Sequence, residues 1–364
     1  MKRLDLIFIF LGFILIPYYI FSSGSLQPSH ILFLLAYLSH KNKSNLDSVM
    51  ALRTSIFFSY CLIVNLVYSI YYVDFSFLVF PINLFYDLIV FFLIIDILRF
   101  NKNSNIKDAF SKVILIVFTI QVLQWALGLG RYDFFPRYNG FFNDPNQMAF
   151  FVLCCLAIAL SNDKNKIINL IIVILGFWLI FITQSRSATI GLVFIFLSLF
   201  IHYYSVVKKY LPLALLGIFV FVYIFLNYYW DDVVNVVLNS DNFSRFKEVD
   251  VSTQSEDRGF DRIINYPEYL LFGAGQGYYQ RFDSNLEIHS TWFGFLFYYG
   301  VIGLFLFISI IYKIFSNLNL YRKFLFLAPL FYSFSTFGAR TVVFWIFLAI
   351  FYALTKEDSY SQKP

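Results

Sequence analysis

The sequence predicts an all-α fold, a polytopic membrane bundle of about twelve transmembrane helices with one larger loop on its outer face. Three observations predict it. First, the 364 residues are 60% hydrophobic and 22% aromatic but only 13% charged, including 49 Phe and 27 Tyr. Soluble domains carry about 25% charged residues and 45–50% apolar ones, and the mean hydropathy here is +0.71. Second, apolar runs recur along the whole chain. A span needs about 20 such residues to cross about 30 Å at 1.5 Å per residue. Third, the short loops alternate between basic and less basic, as the positive-inside rule requires. The net charge of +5 therefore reflects topology, and no nucleic-acid partner is implied.

In chain order the spans fall at 4–21, 29–40, 51–72, 75–98, 113–130, 147–160, 167–183, 187–203, 210–229, 289–312, 324–338 and 341–354. The chain reads as one integral membrane domain over 1–364, with the outer loop at 230–288. The first span follows a basic start, Lys2-Arg3, and no small-residue cleavage site comes after it, so it reads as uncleaved. With the N-terminus inside, 18 of the 27 basic residues fall on the inner side and nine on the outer. The inner set holds 14 Lys and 4 Arg, the outer set 8 Arg and 1 Lys. Orientation alone is served by either residue. Arginine differs in presenting a planar fork of donors that grips phosphate or carboxylate bidentately. The outer face therefore reads as a site for an anionic substrate, with chance and local salt bridges as the bland alternative. Cys61, Cys154 and Cys155 lie in apolar runs and suggest neither disulfides nor a metal site.

Three outer-face constellations carry the chemistry. The segment Arg137-Tyr-Asn-Gly-Phe-Phe-Asn-Asp-Pro-Asn146 precedes the sixth span. Its Asp144-Pro145-Asn146 predicts a turn and a helix cap, which leaves Arg137 unexplained. Thr183-Gln-Ser-Arg186-Ser-Ala188 sits between two apolar runs, where an arginine costs stability unless it snorkels or functions. In the long loop, Ser255-Glu-Asp-Arg258-Gly-Phe-Asp-Arg262-Ile-Ile264 predicts a helix opened by Ser255 and closed by Pro267. Arg258 and Arg262, four apart, would then share a face. They either bind substrate or pair with Asp257 and Asp261 on an interfacial helix. Phe272-Gly-Ala-Gly-Gln-Gly277 lacks the lysine and spacing of a phosphate loop and reads as a flexible turn. Glu287-Ile-His289 closes the loop, and Arg340 completes the outer set.

Taken in order, these motifs resemble the O-antigen polymerase and O-antigen ligase superfamily of bacterial envelope glycosyltransferases. The match runs R-x-x-G-x-F-x-D-P-N at 137–146, T-x-S-R-S-A at 183–188, a long outer loop with an arginine-bearing helix, G-x-G-x-G, E-x-H, and G-V-I-G at 300–303. It covers about residues 130–310. The resemblance implies a C-type glycosyltransferase-like bundle in the bacterial inner membrane, with both termini cytoplasmic and a periplasmic active face. It implies a glycan on undecaprenyl pyrophosphate as donor, and no metal or other cofactor. A chain-length regulator and a flippase are the protein partners it suggests. By motif position His289 matches the loop histidine, Arg186 the span-edge arginine and Arg258 the arginine opening the loop helix, while Arg137 and Asn146 match the earlier loop motif. One departure is the outer loop, which is short for a ligase that must also hold a lipid A core.

The residues fit the chemistry independently. Glycosyl transfer needs a sugar hydroxyl deprotonated while a pyrophosphate leaves. Histidine, with an ordinary pKa near 6.5, suits a general base. Glu287 would orient it only if the segment there is extended or turned, because residues two apart diverge on a helix. Arginines would stabilise the departing pyrophosphate, and the sequence has no D-x-D metal pair. The expectation is an O-antigen polymerase, catalytic at His289 and Glu287 and substrate-binding at Arg186, Arg258, Arg262, Arg137, Asn146 and Arg340. An O-antigen ligase is the near alternative. A lipid-linked glycan flippase is the distant one, with the mid-span Asp87 as its coupling residue.

Overall fold

In the computed structural model the described residues are 4–21, 26–40, 48–100, 105–162, 164–204, 208, 258–283 and 286–361, with the backbone alone at 100, 105 and 356–361. The predicted ninth span at 210–229 lies outside them, as does the outer loop up to 257 with its expected helix start at Ser255 and with Asp257. So do Lys2, Arg3, Lys41, Lys43, Lys102, Lys209, Arg245, Lys247 and Lys363 among the charges used for orientation.

The described residues are helical, with no strand among them. The helices are α1 (Leu4–Leu15), α2 (Pro28–Ser39), α3 (Ser48–Tyr72), α4 (Val79–Phe100), α5 (Asn105–Ala126), α6 (Pro145–Leu160), α7 (Lys166–Thr183) and α8 (Arg186–His202). After the undescribed segment come the short α9 (Asp261–Asn265), then α10 (Thr291–Phe315), α11 (Leu320–Tyr332) and α12 (Val342–Ser361). Five helical stretches are long and apolar enough to cross a membrane: α3, α4 with the 3-10 turn before it, α5, α7 and α10. The protein is thus a helical membrane protein. Boundaries depart from expectation where polar residues tolerate helix. α5 begins eight residues before the predicted 113, and α11 stops at Tyr332 instead of 338.

Burial orders the bundle. Every residue of α6 from Met148 to Leu160 is buried, as is most of α12 from Val342 to Leu354. A helix apolar all round belongs in the centre, and these two pack on one another there. Around them α12 packs on α4, α6 on α7 and α11, α8 on α11, and α3 on α10. The outer helices turn large apolar side chains outward, such as Ile63, Val67 and Ile70 on α3 and Ile167, Leu170 and Ile174 on α7. In water such a surface would be unstable; facing lipid it is satisfied. Inside, His40 Nδ1 meets Asp5 Oδ2 at 2.9 Å and ties α2 to α1.

Helix α10 is broken at Gly300, whose φ of 66° and ψ of −176° leave the helical region. The break frees the carbonyls of Phe297 and Tyr298, which accept from Ala274 N at 2.9 Å and Gly275 N at 2.8 Å. A Cβ on Gly300 would lie 2.2 Å from the Leu271 carbonyl oxygen, and one on Gly273 2.4 Å from that of Tyr298. Glycines are required because two backbones touch. The segment 272–277, expected as a flexible turn, is instead a tightly docked loop. Asn65 of α3 seals it, accepting from Gln276 N at 2.9 Å and donating to Tyr299 Oη at 3.1 Å.

Candidate functional site

The predicted residues are placed by helix ends. Asp144 caps α6, its carboxylate accepting from Asn146 N, with Pro145 in the first turn. This is the cap the sequence predicts. Gln184 takes a left-handed conformation at the end of α7 (φ 50°), and Ser185 begins α8. Arg186 is therefore the first residue of α8. Arg137 bridges the two motifs. Its Nε donates to the Thr183 carbonyl at 3.0 Å, satisfying the end of α7, and its Nη2 donates to Asn146 Oδ1 at 2.8 Å. Ser185 Oγ also reaches Asn146 Oδ1, at 3.3 Å, and Tyr332 Oη donates to the Asn146 carbonyl at 3.0 Å. With Oδ1 so occupied, the Nδ2 end of Asn146 is the donor offered to a bound oxygen.

His289 precedes α10, whose cap is Ser290 with its side chain accepting from Phe293 N. Residues 286–290 are non-helical, which meets the condition set for Glu287. Its carboxylate nonetheless serves other partners. One oxygen accepts from Gln276 Nε2 and the other pairs with Arg340 Nη1. Glu287 thus anchors Arg340 and the docked loop, and among the described residues its hydrogen bonds go to these two and not to the imidazole. His289 is held through its backbone, N to the Arg258 carbonyl at 3.1 Å.

Arg258 and Arg262 do not share a helix face. The helix starts only at Asp261, and Gly259 turns the chain with φ 69°. Arg258 consequently faces a cavity, whereas Arg262 is fully buried. Its guanidinium donates to the Leu286 carbonyl and lies 5.9 Å from the rings of Tyr279 and Phe282. Arg262 supports the wall behind the cavity and does not line it. Of the predicted apolar face, Phe260 packs on Phe293 at 5.0 Å, while Ile264 is exposed.

Two cavities meet here. The larger, of about 490 Å³, is lined by His289, Glu287, Arg258, Arg340 and Asn146, together with Asn83 and Tyr279 among others. The second, of about 310 Å³, is lined by Arg137, Arg186, Gln184 and Ser185. Asn146 and Arg258 line both, so their side chains stand between the two. Three arginines around one chamber suit a bidentate oxyanion such as a phosphate. The other chamber sets its two arginines, Arg258 and Arg340, beside the carboxylates of Glu287 and Asp144, and adds amides, a tyrosine and an imidazole that suit hydroxyls.

Electrostatics set the protonation of His289. Burial, and next the Arg340 guanidinium, push its pKa below the ordinary 6.5; Glu287 and Asp144 pull the other way without prevailing. The imidazole is therefore neutral, with a lone pair to accept a proton, at neutral pH. Arg340 is held charged chiefly by Glu287. Among the described residues no group of three or more His, Cys, Asp or Glu is arranged to hold a metal ion.

Sequence reasoning missed Asn83, Gln147, Gln276 and Tyr279 as cavity residues. Asn83 carried a signal, a carboxamide inside the apolar run Pro81-Ile-Asn-Leu-Phe-Tyr-Asp87. Gln276 carried another, inside a glycine loop with no other polar side chain. No protein-family model and no curated protein matches this chain.

Proposed function

We propose that the protein is a glycosyltransferase of the outer membrane-facing leaflet that uses a polyprenyl-pyrophosphate-linked glycan as donor and works without a metal. The observation that carries the reading is the sharing of Arg258 and Asn146 by an arginine-lined chamber and a chamber holding a neutral histidine. In this reading Arg137, Arg186 and Arg258 hold the donor pyrophosphate. His289 takes the proton from the acceptor hydroxyl. That oxygen attacks the sugar anomeric carbon, the bond from that carbon to the phosphate oxygen breaks, and the electron pair leaves with the pyrophosphate. Guanidinium groups aimed at the leaving group stabilise the charge as it develops. Glu287 acts by fixing Arg340, not by orienting the imidazole.

The motif order supports the O-antigen polymerase and ligase superfamily, and the short outer loop favours polymerase as the specific activity, with undecaprenyl pyrophosphate as carrier and a second lipid-linked repeat unit as acceptor. The accompanying architecture is about twelve spans in the bacterial inner membrane, C-type in plan, with cytoplasmic termini and a periplasmic site. A ligase would share the donor chamber. Purified protein given a lipid-linked repeat unit, alone or with lipid A core, without ATP or metal, tests the class: polymer or glycan-bearing core supports it, and unchanged substrate in both assays overturns it. In a deletion strain, single-repeat caps on lipopolysaccharide indicate a lost polymerase, and bare core indicates a lost ligase.

A further inference from the structure

Below the larger cavity lies a small recess of about 70 Å³, against about 490 Å³ above. Asn83, Gln147 and Arg340 line both, so the recess continues the cavity inward. Asp87 lines it too and is 2% exposed. Among the described residues nothing hydrogen-bonds Asp87 Oδ2, and nothing hydrogen-bonds the buried Gln147 Oε1. Native interiors rarely leave such atoms unpaired, and an acidic residue within a spanning helix is costly to keep. Asn83 stands four residues before Asp87 on α4, hence on the same face, and leads from the cavity to the carboxyl group. The Arg340 guanidinium is turned to Glu287.

We infer that this recess receives one hydrogen-bond-donating substituent of the acceptor sugar, with Asp87 and Gln147 as specificity-determining residues. The inference rests on the glycosyltransferase reading. Gln147 Oε1 can only accept, and the Asp87 carboxyl can accept as well, so the space calls for a donor. The Arg340 cation in the wall disfavours a cationic one, which leaves a neutral O–H or an amide N–H. The recess is much the smaller of the two spaces, so it takes a substituent while the sugar ring stays above, near His289. A site with unpaired acceptors rejects the analogue that lacks the donor.

The test is a thermodynamic cycle on the purified full-length protein. The acceptors are the lipid-linked repeat unit and versions with each hydroxyl or acylamino group singly replaced by hydrogen. With the wild type, one analogue should lose about 10–100-fold in kcat/KM. With Asp87→Leu that penalty should shrink to about threefold or less, while the parent acceptor becomes as poor as the analogue. Gln147→Leu supplies a second cycle should the first variant not fold, with the same analogue singled out. If the parent is transferred but every penalty survives both substitutions, water alone occupies the recess and the inference falls. If the wild type does not transfer to the parent at all, the polymerase reading falls first and the inference about this acceptor with it.

Discussion

Protonating His289 would set a third cation beside Arg340 and Arg258, in a half-buried site where burial already disfavours charge. A base whose pKa is depressed works above that pKa and fails below it. The acid limb of the pH–rate profile should therefore lie below 6.5 and above it the rate should be flat to neutral pH. Glu287 raises the imidazole pKa, so Glu287→Gln should move that limb to still lower pH; a shift upward would contradict the charge arrangement. His289→Ala should cost about 10²–10⁴-fold in kcat without loss of folded protein. Arg186→Ala and Arg258→Ala should each cost about 10²–10³-fold, with thermal stability unchanged. Arg262→Ala should behave in the opposite way. It removes a buried guanidinium and its charged hydrogen bond to the Leu286 carbonyl, so it should destabilise by about 1.5–3 kcal/mol, read as a lowered melting temperature in detergent. Full-length polymer from the Arg186 and Arg258 variants would refute the arginine clamp.

At the scale of elements, the break in α10 and the docked glycine loop form one device. Gly300 supplies two free carbonyls, the loop amides of Ala274 and Gly275 take them, and Gln276 and Tyr279 are thereby delivered to the cavity wall. Gly300→Ala meets both a left-handed backbone and the Leu271 carbonyl. The conformational term alone is about 1–2 kcal/mol, and overpacking adds about 1–3 kcal/mol. The expected result is a lower melting temperature together with lost transfer. Val301→Ala, at a neighbouring outward-facing position, should be neutral in both measurements. A Gly300→Ala protein as stable and active as the wild type would mean that the loop does not depend on the break. Helix ends repeat the same logic elsewhere. The α7 end is capped by Arg137, the α6 start by Asp144, and the α10 start by Ser290, so Arg137, Asn146 and His289 sit at satisfied helix termini.

At the scale of the molecule, topology and burial make a joint prediction. In intact cells a membrane-impermeant maleimide should label single cysteines placed at Tyr132 or Asp283 and spare those at Lys164 or Asn317. The reverse pattern would invert the site. Cys61, Cys154 and Cys155 are buried and should stay unlabelled until the protein is denatured. Much of this frame was legible in the chain. Hydropathy marks α1 to α8 and α10 to α12 because apolar runs of span length have few other uses, and the arginine bias marks a face because orientation alone would accept lysine. The Asp144 cap could be anticipated from residue chemistry, and His289, Arg258, Arg340 and Asn146 were singled out by motif order and by their place in the loops. Three things could not. That α6 is the buried centre depends on which neighbours surround it, and a uniformly apolar helix says nothing of that. The fates of Arg258 and Arg262 were decided by where α9 begins, a matter of Gly259 and of packing beneath the loop. The partners of Glu287 come from segments 11 and 53 residues away, a separation at which local pattern carries no information. The sequence by itself determined a helical membrane protein and singled out a set of arginines in its loops. The tertiary structure alone decided which of those charges line the cavity and which only hold its walls, because burial and pairing are properties of the assembled bundle.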